Sequence, residues 1–512
     1  MGKQSANIRT RTQMPETGAA PSRSVIVAAT WSAMALAAVC WALAALSIDR
    51  SGSSEAAAHN LRSLWPYWLA SAMGWTGLTL LWRSLRNKSA PMAMFGRTTS
   101  VILGIAMAAR LAVLIVHEPA LSDDVYRYVF DGRNLAHGLN PYLTLPADRM
   151  NALDRGAPEH WRGESALVNL VAFPEVTTPY FPLSQYVFGS LGVACEWGGW
   201  ASPSASARVF RAAFTLLELA LMLVLAGALR SAGLSAWWLA LYAWHPLPLG
   251  EIAGSGHQDV VGITLMVIAL ALASGANAGR LRWRAIGWAA PLAGAAMVKP
   301  VAGIGAVMSL RRAPVGAWML CAVVALIVWF VLAMPLRWMP GQPAFAAWRG
   351  TADWMAEKSA HFGGVYEPVL LVVRHAMPDG PQREPGFNLR QERTARRVCA
   401  GLFATTMVVV WLRWRDRWPA SAIALTAMTL CAATSFPWYL LWAFALFVIG
   451  GAGGWTLWVY SLTISWGYVV FTGGKGHALG LEWTVTPWML AAAYIPVLLA
   501  IATDLVKAIG RS

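Results

Sequence analysis

The chain has 512 residues, of which 57% are hydrophobic and only 13% charged, whereas a soluble protein carries about 25% charged residues. Its formal net charge of +15 lies in short clusters between apolar runs, the pattern that orients membrane proteins and suits contact with anionic membrane lipids. A soluble globular enzyme is excluded, and nothing in this distribution points to nucleic acid as a partner.

The polar, basic start MGKQSANIRTRTQ leads to a tail, residues 1–24, expected in the cytoplasm. The apolar segment 25–48 is too long for the core of a secretory signal. With 64–82 it forms two N-terminal transmembrane helices within residues 25–97. Further apolar segments follow at 98–117, 209–229, 235–250, 259–276, 315–335, 398–412, 418–434, 436–452, 454–472 and 485–505. Most approach the roughly 20 residues that cross a bilayer core as helix. Two stretches are ambiguous: 181–199, which opens with YFPL, and 285–310, which carries Lys299-Pro300 inside it. Pro182 and Pro300 are expected to interrupt the backbone ladder there, making these segments re-entrant or broken.

The expected fold is an all-α polytopic membrane protein of about 11–14 transmembrane or re-entrant helices, with short amphipathic helices in its extracytoplasmic loops. The 29 tryptophans fit membrane interfaces. The five cysteines include no CxxC pair and suggest neither a disulfide framework nor a zinc site.

Four basic clusters set the sidedness: Arg83/Arg86/Lys88/Arg97, Arg280/Arg282/Arg284, Arg311/Arg312 and Arg413/Arg415/Arg417. With these in the cytoplasm, the 118–180 loop is extracytoplasmic, and it is acidic, with nine carboxylates against five arginines. Arg393, Arg396 and Arg397 then fall on the outer side, against the rule. On this scheme residues 98–335 form one membrane module, 336–397 a second large extracytoplasmic loop, and 398–512 the C-terminal helices. Polar groups from 122–142, 245–259, Lys299 and 435–439 converge at one level of the membrane.

The stretch SDDVYRYVFDGRNLAHGLNPY (122–142) reads as a helix capped by Ser122 and ended by Gly138 and Asn140-Pro141. Asp123, Arg127 and Asp131 follow one another at i, i+4, alternating carboxylate, guanidinium and carboxylate. Ionisable groups beside hydrocarbon tend to be functional. Asp123 or Asp124 can take a proton from an incoming hydroxyl, while the second carboxylate orients the acceptor or binds a divalent cation such as Mg or Mn. A metal-free site fits equally well. Tyr126, Asp131, Asn140 and Tyr142 are expected near substrate. In FPEVTTPYFPLSQ (173–185), Tyr180 and Gln185 are expected to face it. HPLPLGEIAGSGHQD (245–259) offers His245, Glu251, His257, Gln258 and Asp259 as a hydrogen-bonding turn for sugar hydroxyls. Lys299, with Arg127 and Arg133, suits a departing phosphate. Trp438 and Tyr439 are either interfacial anchors or a sugar-stacking platform.

SDDVYRYVFDG, NPY, PEVTTPYFPLSQ, HPLPLGE with GSGHQD, and PWYLLWA together resemble the polytopic GT-C glycosyltransferases, nearest the bacterial branch that includes lipomannan α-1,6-mannosyltransferases, over about residues 98–445. Similar proteins often have Asn where His245 and Gln258 stand, and a double proline where Tyr180-Phe181-Pro182 stands. The resemblance implies a bundle of more than ten helices and a catalytic Asp in the first large loop. It also implies a polyprenyl-phosphate sugar donor, often of mannose, a lipid-linked or envelope glycan acceptor, and inversion at the anomeric carbon. On that analogy Asp123 or Asp124 is the general base, Asp123 being better placed one i, i+4 step before Arg127. The expected location is the bacterial inner membrane with the site on its extracytoplasmic face. The rival reading is a polytopic transporter or lipid flippase, against which the chain shows no internal repeat.

Overall fold

The computed structural model describes residues 22–47, 54–86, 95–119, 121–154, 164–274, 281–311, 315–337, 360, 362–377, 389–472 and 487–509. Most of the 1–24 tail and of the 336–397 loop lies outside these residues, as do Lys88, Arg280 and Arg312. In chain order the first half holds α1 (Arg23–Ala44), α2 (Ser54–Arg86), α3 (Phe95–Val116), α4 (Asp124–Ala136), α5 (Pro146–Asp154), α6 (Ser165–Val168), α7 (Pro182–Trp197), α8 (Pro203–Ser231), α9 (Trp237–Ala243) and α10 (Pro246–Pro248). A π-turn, Leu249–Gly254, leads to α11 (Asp259–Ser274), α12 (Leu281–Ala296), a 3₁₀ turn (Pro300–Ala302), α13 (Gly303–Leu310) and α14 (Val315–Arg337). The remainder holds α15 (Tyr366–Ala376), α16 (Leu389–Arg413), α17 (Arg417–Cys431), a 3₁₀ turn (Pro437–Leu440), α18 (Leu441–Phe447), α19 (Gly454–Thr463), a 3₁₀ run (Ile464–Thr472) and α20 (Pro487–Ile509). The described residues contain no strand, only an isolated bridge between Phe362 and Thr434.

The protein is an all-α polytopic membrane protein. Among the described residues six helices are long and apolar enough to cross a bilayer: α1, α3, α8, α14, α16 and α20. Apolar side chains on them remain uncovered, such as Leu326 (65% exposed) on α14 and Val506 (70%) on α20, as lipid-facing helices require. Segment 64–82 lies in the continuous 33-residue helix α2, and the other apolar segments are shorter or broken pieces. The 285–310 segment is broken, as expected, between α12 and α13. The 181–199 segment differs: Pro182 opens α7 at its first turn, and Pro300 likewise opens the 3₁₀ turn after Lys299. Proline lacks an amide hydrogen and is preset for a first helical turn, so both residues start elements instead of interrupting them.

α4 and α7 touch backbone to backbone. A Cβ on Gly132 would lie 2.3 Å from the Phe188 carbonyl oxygen, and one on Gly192 would lie 2.4 Å from that of Gly132. Such small-residue contacts let helices approach closely. α3 and α8 are tied by a fully enclosed ion pair: Arg110 Nε and Nη2 donate to both Glu218 carboxylate oxygens, each at 2.6 Å, with both side chains 0% exposed. Arg110 Nη1 also donates to the Ala243 carbonyl at the end of α9, at 2.8 Å. Arg211, equally enclosed, donates to the carbonyls of Ala253 (2.9 Å), His117 (2.6 Å) and Val113 (3.3 Å). It thereby satisfies the His117 and Ala253 carbonyls where α3 ends and the π-turn departs from helix, and adds a second donor at Val113, which already accepts from the His117 amide.

Candidate active site

Four irregular places in the fold meet around the first turn of α4. α4 begins one residue later than expected: Asp123 is the N-cap residue, and the Ser122 hydroxyl accepts from the Asp124 amide at 3.3 Å. After the π-turn, Gly256 adopts φ +79°, and a Cβ there would meet Arg211 Cγ at 2.7 Å. Only glycine permits this bend without strain. The bend aims His257 back at α4: its Nδ1 lies 3.7 Å from Asp124 Oδ2 and its Nε2 3.3 Å from Glu251 Oε2. The break after α12 delivers Lys299, whose Nζ donates to Asp259 Oδ1 at 2.9 Å and lies 3.7 Å from the centre of the Tyr439 ring. The 3₁₀ turn at 437–440 supplies Trp438 and Tyr439. The start of α7 is tied to the α12 break by the Leu183 amide, which donates to the Met297 carbonyl at 3.1 Å.

Exposure divides this assembly in two. Asp123, Asp124, Tyr180, Lys299 and Tyr439 are partly exposed, with the Asp124 and Lys299 side chains each at 27%. Behind them Glu251, His257, Gln258 and Asp259 are buried. Burial first, then the charges of Asp123 and Asp259, raises the Asp124 pKa to about 7, with Lys299 and Arg127 acting in the opposite sense. Asp131, further along α4 and enclosed, is raised by burial to about 6, partly offset by Arg127. Both residues lie on α4, outside the spans.

Several expected substrate contacts have other partners. Arg127 donates to the carbonyls of Val176 (3.0 Å), Ala172 (2.9 Å) and Phe173 (2.7 Å), so it holds the 172–176 segment instead of offering its guanidinium to a phosphate. Arg133 lies nine residues after Asp124, about 13 Å along the helix, and donates to Ala201 O and Ser206 Oγ. Asn140 donates to Leu336 O, and the Tyr142 hydroxyl to Tyr180 O, both at 2.8 Å. Buried Gln185 bridges Asp131 Oδ2 (3.3 Å) and Thr178 Oγ1 (2.8 Å). Tyr126 is buried. His245 caps α10 through Nδ1, which accepts from the Leu247 amide, and its Nε2 meets Ser461 Oγ at 3.1 Å. Gln258 accepts from Ser184 at 2.9 Å. Trp438 is buried, stacked on His257 with ring centres 4.0 Å apart, which removes it as a sugar platform.

Sequence reasoning missed Trp442, whose indole N–H donates to Asp259 Oδ1 at 2.6 Å, and Tyr468, which donates to Glu251. No local signal marks either one. The Arg110–Glu218 pair was also missed, although a single cation and a single anion in two different apolar spans is a signal that could have found it. Among the described residues no group of three His, Cys, Asp or Glu side chains converges as a metal site.

No solved structure shows significant similarity to the chain. Alpha-(1→6)-mannopyranosyltransferase A of Mycobacterium tuberculosis (strain ATCC 25618 / H37Rv) is 24% identical over 408 residues, which cover 74% of this chain and 70% of that protein. The family model described as alpha-(1→6)-mannopyranosyltransferase, N-terminal domain, matches residues 26–313, a region that contains Asp124, Glu251, His257, Asp259 and Lys299. The chain therefore belongs to the alpha-(1→6)-mannopyranosyltransferase family and is a membrane glycosyltransferase.

Proposed function

We propose that the protein moves a mannosyl group from polyprenyl-phosphate mannose to a hydroxyl of a lipid-linked or envelope glycan. The transfer inverts the anomeric carbon and takes place at the extracytoplasmic face of the bacterial inner membrane. One observation carries this reading: a partly exposed carboxylate, Asp124, and a partly exposed ammonium, Lys299, stand together where membrane segments are broken. Lys299 is close enough for its charge to act on Asp124. In an associated donor and acceptor pair, Asp124 takes the proton of the acceptor hydroxyl as its oxygen bonds to the anomeric carbon. The bond from that carbon to the phosphate oxygen breaks, and the oxygen leaves with the electron pair, where a cation lowers the barrier. Lys299 has three N–H donors, one of which goes to Asp259.

The geometry favours Asp124 as the base, because its carboxylate faces His257. A lipid-borne donor is favoured over a nucleotide sugar because the chain carries no phosphate-cradling Gly-rich loop. Sidedness has support from α13 and α17. Arg311 donates to the carbonyls of Leu412 and Trp414, drawing two basic clusters to one end of these helices. Lys299 lies before the other end of α13, and residues 437–440 lie beyond the other end of the 15-residue α17, about 20 Å along that helix. With basic residues on the cytoplasmic side, the site faces out.

Because Asp124 must be ionised to accept a proton, transfer is expected to fall as pH drops through about 7. The groups facing it are Asp123 and Arg127 on its own helix, Asp259, Lys299 and His257 from the broken segments, and the neutral phenols of Tyr128, Tyr180 and Tyr439. A profile of kcat/KM against pH checks this, and a flat profile between pH values well below and well above about 7 contradicts it. Mass spectrometry of lipid-linked glycans from cells lacking the protein should show acceptors short of hexose. Unchanged glycans would overturn the proposed function.

A further inference from the structure

We propose that Glu251 and His257 form a buried positioning chain for Asp124, in which a protonated Glu251 carboxyl donates to His257 Nε2 and His257 Nδ1–H donates to the Asp124 carboxylate. The inference rests on the reading of Asp124 as the base. Neither residue can touch substrate, since both side chains are 0% exposed. They stand in line behind Asp124, with Glu251 Oε2 3.3 Å from His257 Nε2 and His257 Nδ1 3.7 Å from Asp124 Oδ2. The other Glu251 oxygen accepts from Tyr468. The imidazole plane is fixed by a stack: Trp438 lies on it at 4.0 Å between centres and 18° between planes, and Phe436 lies on Trp438 at 4.4 Å and 6°.

The proton assignment follows from counting donors. A neutral imidazole has one donor and one acceptor nitrogen. If both flanking carboxyls were ionised, the ring would have to be a cation, and an enclosed site would hold three charges. One proton on Glu251 gives each ring nitrogen, neither of which has another hydrogen-bond partner, a neighbour of the right sense, and leaves a single charge in the chain, on Asp124, the one member with access to solvent. The pair then does for Asp124 what a base-orienting group does in other active sites: it points one oxygen inward and leaves the second free for the acceptor hydroxyl. No proton travels along the chain during transfer. At 3.7 Å the His257–Asp124 separation is longer than a hydrogen bond, so a small shift of the Asp124 carboxylate toward the ring completes the proposed chain.

Glu251→Gln is the discriminating variant, because an amide keeps an oxygen for Tyr468 and an N–H for His257 while it cannot ionise. Full-length wild type, E251A, E251Q and H257A are compared in lipid nanodiscs with polyprenyl-phosphate mannose as donor. E251A and H257A are expected to lose about 100-fold in kcat with donor KM little changed, and E251Q to recover most of the E251A loss. E251Q as inactive as E251A would show that an ionised Glu251 is needed and would overturn the inference, as would E251A with wild-type turnover. A second measurement is independent of turnover: the infrared difference spectrum between wild type and E251Q should contain the carbonyl band of a buried carboxylic acid. Its absence overturns the inference even if E251A fails to fold. Wild type that transfers nothing from this donor would count against the proposed function itself, and the infrared band would still decide the state of Glu251.

Discussion

Asp124→Asn is expected to lower kcat for sugar transfer about 10²- to 10⁴-fold, the range attributed to a positioned general base, while donor binding persists. Asn has the shape of Asp, and its oxygen can still accept from His257, so the first turn of α4 should keep its geometry. What it lacks is a lone pair basic enough to hold the acceptor proton. Asp123→Asn should have the smaller effect, because Asp123 is the N-cap residue of α4 and the line from Glu251 through His257 ends on Asp124. Initial rates with labelled donor, measured beside equilibrium binding of the same lipid, separate the two steps. A larger loss in D123N than in D124N would move the base to Asp123.

The largest expected effect on stability is far from the chemistry. Replacing either Arg110 or Glu218 by Leu leaves its partner charged and enclosed, and breaking a buried pair in this way costs about 3–5 kcal/mol. Arg110→Leu should be the worse of the two, because the Ala243 carbonyl loses its donor along with the Glu218 carboxylate. Ala243 closes α9 just before His245 and the π-turn, so the damage should spread toward the site. The double variant R110L/E218L should recover part of the loss, since replacing both ions by apolar groups removes the stranded charge. Thermal unfolding in detergent, read by the recovery of monodisperse protein, checks this. Additive losses in the double variant would show that the two side chains do not act as a pair.

Hydropathy carried the fold a long way. Six of the segments read from the sequence lie in described helices both long and apolar enough to cross a bilayer, and the polar interruptions at 122–142, 245–259, 299 and 435–439 do assemble in space. Those interruptions were legible because a polar group at membrane depth needs a partner. Which side chains would face outward was not legible. The i, i+4 series Asp123, Arg127, Asp131 defines a stripe on α4 but says nothing about what lies opposite it. Opposite Arg127 are open carbonyls of the 172–176 segment, and opposite Asp131 is Gln185. Trp438 and Tyr439 are neighbours in sequence, yet a 3₁₀ turn sends one under His257 and the other onto Lys299. The two prolines were read as breaks because their lost hydrogen bond is visible in sequence, whereas their place in the first turn depends on where the preceding chain stops.

Asp124 and Lys299 are proposed to move a sugar from a lipid phosphate to an alcohol. The most direct measurement is transfer by the purified full-length protein in nanodiscs, with polyprenyl-phosphate mannose labelled in the sugar and a mannose-containing glycolipid as acceptor. Label should pass to the acceptor with wild type, with the anomeric configuration inverted and free polyprenyl phosphate released in equal amount, and should stay on the donor with D124N. Undiminished transfer by D124N, or retained configuration in the wild-type product, would contradict the account.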